Sequence, residues 1–340
     1  MSTDEALELS SNTWLPTVSV IIPIYNGEAD LPDLFHCLAQ QTYPPTQVEY
    51  LLVDNGSSDR TWQMLEAYYA SATLQQYRPL RETEIQSSYA ARNRGIQAAT
   101  GEILVFTDAD CRPQPDWLYH LVQPFVEPTV GIVAGEIAAL PGNSLLERYA
   151  DRHDVLSQKH TLAHPFHPYG QTANLAIRRA VLPQSGLFRP YLTTGGDADL
   201  CWRILQCQNW QIQLAAQAIV LHRHRSTLAE LRSQWRRYGR SNRYLHELYG
   251  INLMQEMPLK DYLHRWGRWL LKEIPKALLK LGLGNASQPS CIDALTDTPL
   301  DLYCRQARLQ GQQQAVLPNA ARYIPTWSTS VPGSLTQVSD

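Results

Sequence analysis

An α/β fold with a mixed, mostly parallel sheet flanked by helices is predicted by three features of the sequence. Short apolar runs such as Val18–Ile22, Tyr50–Val53 and Ile103–Phe106 are rich in β-favouring residues, too short for ordinary helices, and end in turn residues. Segments with helical spacing separate them, as with Leu31, Leu34, Phe35 and Leu38. Strands alternating with helices at this period indicate a parallel sheet. Carboxylates close two of the runs, Asp54 after the second and Asp108 with Asp110 after a later one. They stand where open α/β sheets bind ligands, beyond the carboxyl ends of the strands.

After a polar, flexible arm over residues 1–16, the first strand covers 18–22 and Pro23-Ile-Tyr-Asn-Gly27 stops it. A helix is expected over 28–41, a strand over 50–53, a helix over 60–70, a strand near 75–81 and a helix over 88–99. The strand carrying the aspartate pair follows. Residues 130–137 and 171–178 read as further strands, 197–207 as helix and 212–221 as extended chain. These elements make one domain over 17–225. A basic helical extension is expected over 226–284, beginning with a helix from Ser226, its N-cap, to about Tyr249. Residues 260–281 are amphipathic. Tyr262, Trp266, Leu270, Ile274, Leu278 and Leu281 lie on one side, and Arg268, Lys272, Lys276 and Lys280 recur on another, with a kink expected at Pro275. This pattern suits a helix lying in a membrane interface, and a core-packing helix competes with it. The Gln-, Pro-, Ser- and Thr-rich tail, 285–340, is expected to be loop or partly disordered.

The 340 residues are 44% apolar, with a formal net charge of −3. The charge is unevenly spread: residues 1–221 hold 13 Lys/Arg against 23 Asp/Glu, and residues 222–280 hold 13 against 5. The basic region is rich in Trp, Tyr and Leu, which favours an anionic membrane surface or a pyrophosphate ligand over nucleic acid. The six cysteines show no Cys-x-x-Cys pair and read as reduced thiols. No signal peptide and no run of about 18 apolar residues is visible. The expected location is cytoplasmic, or peripheral at the cytoplasmic face of a membrane.

A carboxylate pair such as Asp108 and Asp110 at a strand end can hold Mg²⁺ or Mn²⁺ against a diphosphate, because these hard cations take the rest of their shell from substrate phosphates. A solvated turn is the plain alternative. Asp54 is suited to accept hydrogen bonds from a nucleobase N–H, or to cap the next helix. Arg92, early in the helix over 88–99, can meet a phosphate, fix a site carboxylate, or serve only at the surface. Asp197 opens a helix after Gly195 and Gly196, where the helix dipole favours the ionised form, and it can take a proton from a hydroxyl. Asp199 and Arg203, at i and i+4, can be a simple helix-stabilising pair.

Val18–Asn26, Leu51–Asp59, Ala91–Gly95, Thr107–Asp110 and Gly195–Leu200, taken in order, resemble the successive motifs of family 2 glycosyltransferases with the GT-A fold. The resemblance covers roughly residues 17–245. It implies that Pro23, Tyr25 and Asp54 line a nucleotide pocket with Arg92 nearby, and that Asp108 and Asp110 bracket ribose, diphosphate and metal. Asp197 matches the catalytic base. Many members carry Glu immediately before it, where this chain has Gly196, an acceptor or donor-sugar contact position. Asn174 matches a small surface near the reacting sugar, and His222 a position that adds a metal ligand or phosphate contact in some members. Gln234 and Arg236–Arg240 resemble the basic helix after the catalytic domain. The implied activity is metal-dependent inverting transfer from a nucleotide-sugar, a UDP-sugar first, to a glycan or lipid-linked acceptor hydroxyl in cell-surface polysaccharide or glycolipid assembly. A sugar-phosphate nucleotidylyltransferase and a non-catalytic nucleotide-sugar-binding protein are the competing readings. A dinucleotide dehydrogenase is disfavoured because no Gly-x-Gly-x-x-Gly follows a strand.

Overall fold

The computed structural model describes residues 14–71, 76–142, 144–207, 209–282 and 288–327. In chain order the principal elements are β1 (Val18–Ile24), α1 (Leu31–Ala39), β2 (Val48–Asp54), α2 (Thr61–Ser71), β3 (Tyr77–Arg81), α3 (Ser88–Ala98), β4 (Ile103–Thr107), β5 (Cys111–Pro113) and α4 (Trp117–Val122). Then follow β6 (Val130–Ala139), α5 (Leu145–Arg152), α6 (Gln158–Leu162), β7 (Asn174–Arg178), α7 (Leu182–Ser185), α8 (Gly196–Gln206) and β8 (Gln211–His222). The C-terminal part holds α9 (Leu228–Tyr249), α10 (Leu259–Arg268), α11 (Ile274–Gly282) and α12 (Gln288–Gln314).

The strands join one sheet in the order β3-β2-β1-β4-β7-β6-β8-β5. The first four strands in this order are mutually parallel, so β2 and β4 end on one edge, with Ile24 of β1 opposite Asp54. β7 runs antiparallel to both β4 and β6, and β6 is parallel to β8. Both faces are covered. One apolar layer gathers Val20, Ile22, Leu34, Trp117 and Phe125, and the other gathers Ile21, Phe106, Leu175, Phe188 and Leu200. The fully buried β1 and β4 therefore read as continuous apolar runs rather than alternating ones.

Most expected elements are present, with three differences. Of the expected flexible arm, residues 1–13 lie outside the described residues, but Trp14 and Leu15 pack on the core, and the Tyr43 hydroxyl donates to the Pro16 carbonyl at 2.6 Å. The cap of α9 is Thr227 rather than Ser226, in a reciprocal capping box with Glu230. Residues 288–314, expected as loop or partial disorder, form the long helix α12. Its buried Leu300, Leu302, Cys304 and Ala307 pack inward, and the chain after it brings Ala315, Leu317 and Ala321 into the core. The remainder of the expected tail, 285–287 and 328–340, lies outside the described residues.

The crossing of α9 and α12 is made by glycines. A Cβ at Gly239 would strike the Arg308 carbonyl, and one at Gly311 would strike the Arg236 carbonyl. Pro299, inside α12, has no N–H to give Leu295, and the Trp269 indole donates to that freed carbonyl instead at 2.7 Å. The kink expected at Pro275 takes the form of a π-helical turn over Trp269–Glu273 between α10 and α11. A proline ring clashes with the carbonyl four residues earlier, and wider bonding in the preceding turn relieves this.

Gly239→Val should separate α9 from α12 and destabilise the chain by about 1–3 kcal/mol or more. Denaturant unfolding checks this, and a wild-type midpoint would show that the helices do not need this close approach.

Candidate active site

Beyond the carboxyl end of β4 lies a cleft of about 210 Å³. Its walls come from α3 (Tyr89, Arg92), Asp108, the turn before β7 (Thr172), the start of α8 (Gly195, Asp197), His222, Arg225, and α9 (Gln234, Arg237, Tyr238). Elements far apart in sequence meet here because β7, inserted antiparallel beside β4, brings the 171–173 turn to the same edge as Asp108.

Asp197 sits in the first turn of α8, behind Gly195 in the left-handed conformation at φ 80°. The Thr172 hydroxyl donates to one carboxylate oxygen at 3.1 Å and the Thr172 N–H to the other at 3.3 Å. Burial pushes the Asp197 carboxyl above its ordinary value, Arg92 opposes that shift, and Asp108 adds to it. A raised carboxylate is a better proton acceptor than an ordinary one, so this group can deprotonate a hydroxyl. Two residues on, the fully buried Asp199 accepts from Arg189 Nε at 2.7 Å, Arg203 Nη2 at 2.9 Å and the Tyr249 hydroxyl at 2.7 Å. Asp199 thus has structural work, tying α8 to the 186–195 loop and to the end of α9.

Arg92 is 3% exposed and donates to Asp108 Oδ1 at 2.6 Å. Ser87 caps α3 by accepting from Tyr89 N, and Asn93 exchanges two hydrogen bonds with the Phe188 backbone, which fixes the helix face carrying Arg92. The second Asp108 oxygen and the guanidinium remain on the cleft wall, a donor–acceptor pair suited to a phosphorylated, hydroxylated ligand.

The expected metal set was Asp108, Asp110 and His222. Among the described residues the close cluster is instead Asp110, Cys111 and His222, whose donor atoms lie within 4.8 Å of one another. Pairing of β5 with β8 sets Cys111 opposite His222 and so carries Asp110 to the imidazole. Asp108 stands outside that cluster, engaged by Arg92. His222 Nδ1 faces the Arg223 carbonyl at 2.8 Å; a carbonyl only accepts, so the proton belongs on Nδ1. Nε2 lies 3.5 Å from Asp110 Oδ1, and in the neutral ring its lone pair and the carboxylate would together suit a shared cation. Cys111 is fully buried, burial raises its thiol well above the usual range, and its Sγ is 3.8 Å from the Ala173 carbonyl. It fits as a neutral neighbour rather than a ligand. One carboxylate and one imidazole suit a divalent ion that takes its other positions from substrate oxygens and water.

Asn174 does not face the cleft. It is fully buried, its amide donates to the Glu136 and Ala218 carbonyls at 2.8 Å each, and its oxygen accepts from the Trp117 indole at 2.8 Å. It clamps β6, β7 and β8, and the residue of that segment that reaches the cleft is Thr172. Gly196 donates its N–H to the Tyr89 hydroxyl at 2.9 Å, and a Cβ there would lie 2.6 Å from the Tyr89 ring. The tyrosine thus fills the space that a side chain at 196 would need. Pro23, Tyr25 and Asp54 do not line this cleft, although they stand at the same sheet edge. Pro23 is buried in β1, Tyr25 is 54% exposed, and Asp54 accepts from Ser57 N at 3.2 Å with Arg81 at 3.9 Å. Tyr89, Thr172 and Arg225 were not singled out by the sequence. Only the position of Thr172 in the Gly170–Arg178 segment hinted at one of them.

Asn174→Ala leaves two buried carbonyls and an indole N–H without partners, at about 1–3 kcal/mol each. A loss of several kcal/mol in denaturant unfolding is expected; wild-type stability would return Asn174 to the candidate ligand contacts.

The family model for glycosyl transferase family 2 matches residues 19–192, half of the chain. The chain is 37% identical over 185 residues to glycosyltransferase AglE of Haloferax volcanii, covering 54% of this chain and 59% of AglE. It is 28% identical over 229 residues to the pre-mycofactocin glycosyltransferase of Mycobacterium tuberculosis, covering 66% of this chain and 46% of that protein. It therefore spans less than two thirds of either relative. Among solved structures, mannosyltransferase PcManGT from Pyrobaculum calidifontis, in complex with GDP-Man and Mn²⁺, superposes with a TM-score of 0.58 at 22% identity, over 91% of this chain and 87% of that one. GalNAc-T7 with UDP, GalNAc and Mn²⁺ gives 0.51 at 18% identity, over 78% and 58%. At such identities the likeness concerns the fold. The chain belongs to glycosyl transferase family 2 and has the GT-A fold.

Proposed function

We propose that the protein transfers a sugar, with inversion, from a nucleotide-sugar to an acceptor hydroxyl. The observation that carries this reading is the cleft itself: Asp197, with its raised carboxyl, opens onto the same space as the Arg92–Asp108 pair and His222. In the proposed reaction Asp197 takes the proton of the acceptor hydroxyl as its oxygen bonds to the anomeric carbon. The bond from that carbon to the diphosphate breaks, and the nucleoside diphosphate leaves with the electron pair. Thr172 holds the carboxylate in place. Arg92, Arg225 and Arg237 offer positive charge toward the growing charge of the leaving group. Asp110 and His222 are the residues that would hold Mg²⁺ or Mn²⁺, which when bound supplies Lewis-acid neutralisation of the diphosphate. Asp54 and Tyr25, outside this cleft at the same sheet edge, suit the nucleobase, and a UDP-sugar is the first donor to test. The proposed acceptor is a glycan or a lipid-linked molecule.

Asp197→Asn should lower transfer by about 10²–10⁴-fold while sparing donor binding, measured by nucleotide release and by titration with the donor. Wild-type turnover would remove Asp197 from the base role. Because the base acts deprotonated and its carboxyl is raised, kcat/KM should fall as pH drops through a value above the ordinary carboxylate range of about 4. A profile flat down to that range would contradict the assignment.

Asp110→Ala and His222→Ala should each weaken Mn²⁺-dependent binding of the nucleoside diphosphate by about 10-fold or more, read by calorimetry with and without chelator. Retention of full metal dependence in both variants would exclude this pair as the ion's ligands.

A further inference from the structure

Among the described residues, large exposed apolar side chains concentrate in one place. Leu259, Tyr262, Leu263, Leu270, Leu271, Leu278 and Leu279 of α10, the π turn and α11 are all between 40% and 79% exposed. No residue of α10 is buried. Leu259, Tyr262, Leu263, Trp266 and Leu270 fall at i, i+3, i+4, i+7 and i+11, which makes one stripe along the helix. Arg265, Arg268, Lys272 and Lys276 recur at i, i+3, i+7 and i+11 on a different face. Lys260, Arg265, Lys272 and Lys276 are exposed and have no ion pair among the described residues, while Arg268 pairs with Glu273. Lys280 and Leu281, which extend both patterns in the sequence, lie outside the described side chains.

A neighbouring face, which continues from Trp266 at i+3, i+7 and i+11 through Trp269, Glu273 and Ala277, is anchored. Trp269 donates to the Leu295 carbonyl, Thr298 donates to Glu273 at 2.9 Å, and Ala277 is buried. This contact with α12 leaves the leucines and the unpaired cations uncovered, and α12 packs on α9, which forms one wall of the cleft.

We propose that this helix–π turn–helix segment is a docking surface for an anionic lipid bilayer, lying in the interface with its leucines in the acyl boundary and its cations at the phosphates. Charge complementarity selects this occupant. A second copy of the same face would bring the unpaired cations of both copies together, whereas a phosphate-bearing surface neutralises them. No helix among the described residues is long and apolar enough to cross a membrane, and the proposed contact lies in the interface rather than through the bilayer. This inference does not depend on the transfer chemistry.

The test is co-sedimentation of the full chain with extruded vesicles of phosphatidylcholine alone or rich in phosphatidylglycerol, at low and high salt. Wild type is expected to partition onto the phosphatidylglycerol vesicles, less onto phosphatidylcholine, and less in high salt. Leu263→Asp/Leu270→Asp and, separately, Lys272→Glu/Lys276→Glu should each lower partitioning by about tenfold or more, with unchanged melting because these side chains are exposed. Wild type remaining in the supernatant, or variants partitioning as wild type does, overturns the proposal. So does a vesicle-free dimer, seen by light scattering, that the leucine substitutions dissociate.

Discussion

A carboxylate with no exposure at all, Asp199, fixes the geometry on which the cleft depends. A buried charge is tolerated only when partners surround it, and Asp199 takes them from three stretches of chain: Arg189 before α8, Arg203 one turn along it, and Tyr249 at the end of α9. Loss of one partner from such a set costs about 3–5 kcal/mol, because the remaining charge is stranded. The network therefore has little freedom to rotate α8. Asp197, two residues earlier on the same helix, consequently meets Thr172 on the far side of the cleft. What looks in sequence like a cluster of acids is a division between one that orients the helix and one that lines the cleft.

The family match ends at residue 192, just before α8. Asp54, Arg92, Asp108 and Asp110 lie inside it, whereas Asp197, His222 and the arginines of α9 lie beyond it. The cleft thus joins the parallel half-sheet to a second half in which β7 reverses direction and β8 pairs with both β6 and β5. The reversal brings the Thr172 turn to the edge already carrying Asp108. Pairing of β5 with β8 then returns Asp110 to His222.

The sequence made the sheet and its acidic edge legible because fully buried strands have a short, continuous apolar signature and Asp or Gly ends them. Asp108, Asp110 and Asp197 could be read from such strand and helix ends. Asn174 could not be placed correctly, since its neighbours do not say whether an amide turns into the sheet layer or into the cleft, and three hydrogen bonds decide it. The α12 helix was hidden for a tertiary reason. Its apolar residues are sparse, Pro299 interrupts it, and its stability draws on the glycine crossing with α9 and on an indole from a distant turn. The Asp110–His222 proximity was half legible, as both residues end strand segments, but Cys111 and the withdrawal of Asp108 to Arg92 depend on strand pairing and side-chain rotamer.

The contact between Tyr89 and Gly196 bears on how this lineage can change. With the aromatic ring seated where a β-carbon would lie, neither position is free to drift alone. A larger residue at 196 meets the ring, and a smaller residue at 89 opens a void beside the helix start and leaves the Gly196 N–H without its acceptor. A side chain at 196 is therefore accommodated only when the residue at 89 changes with it. The two residues, 107 positions apart in the chain, are thus coupled through packing and one hydrogen bond, so the effect of a substitution at either depends on the identity of the other.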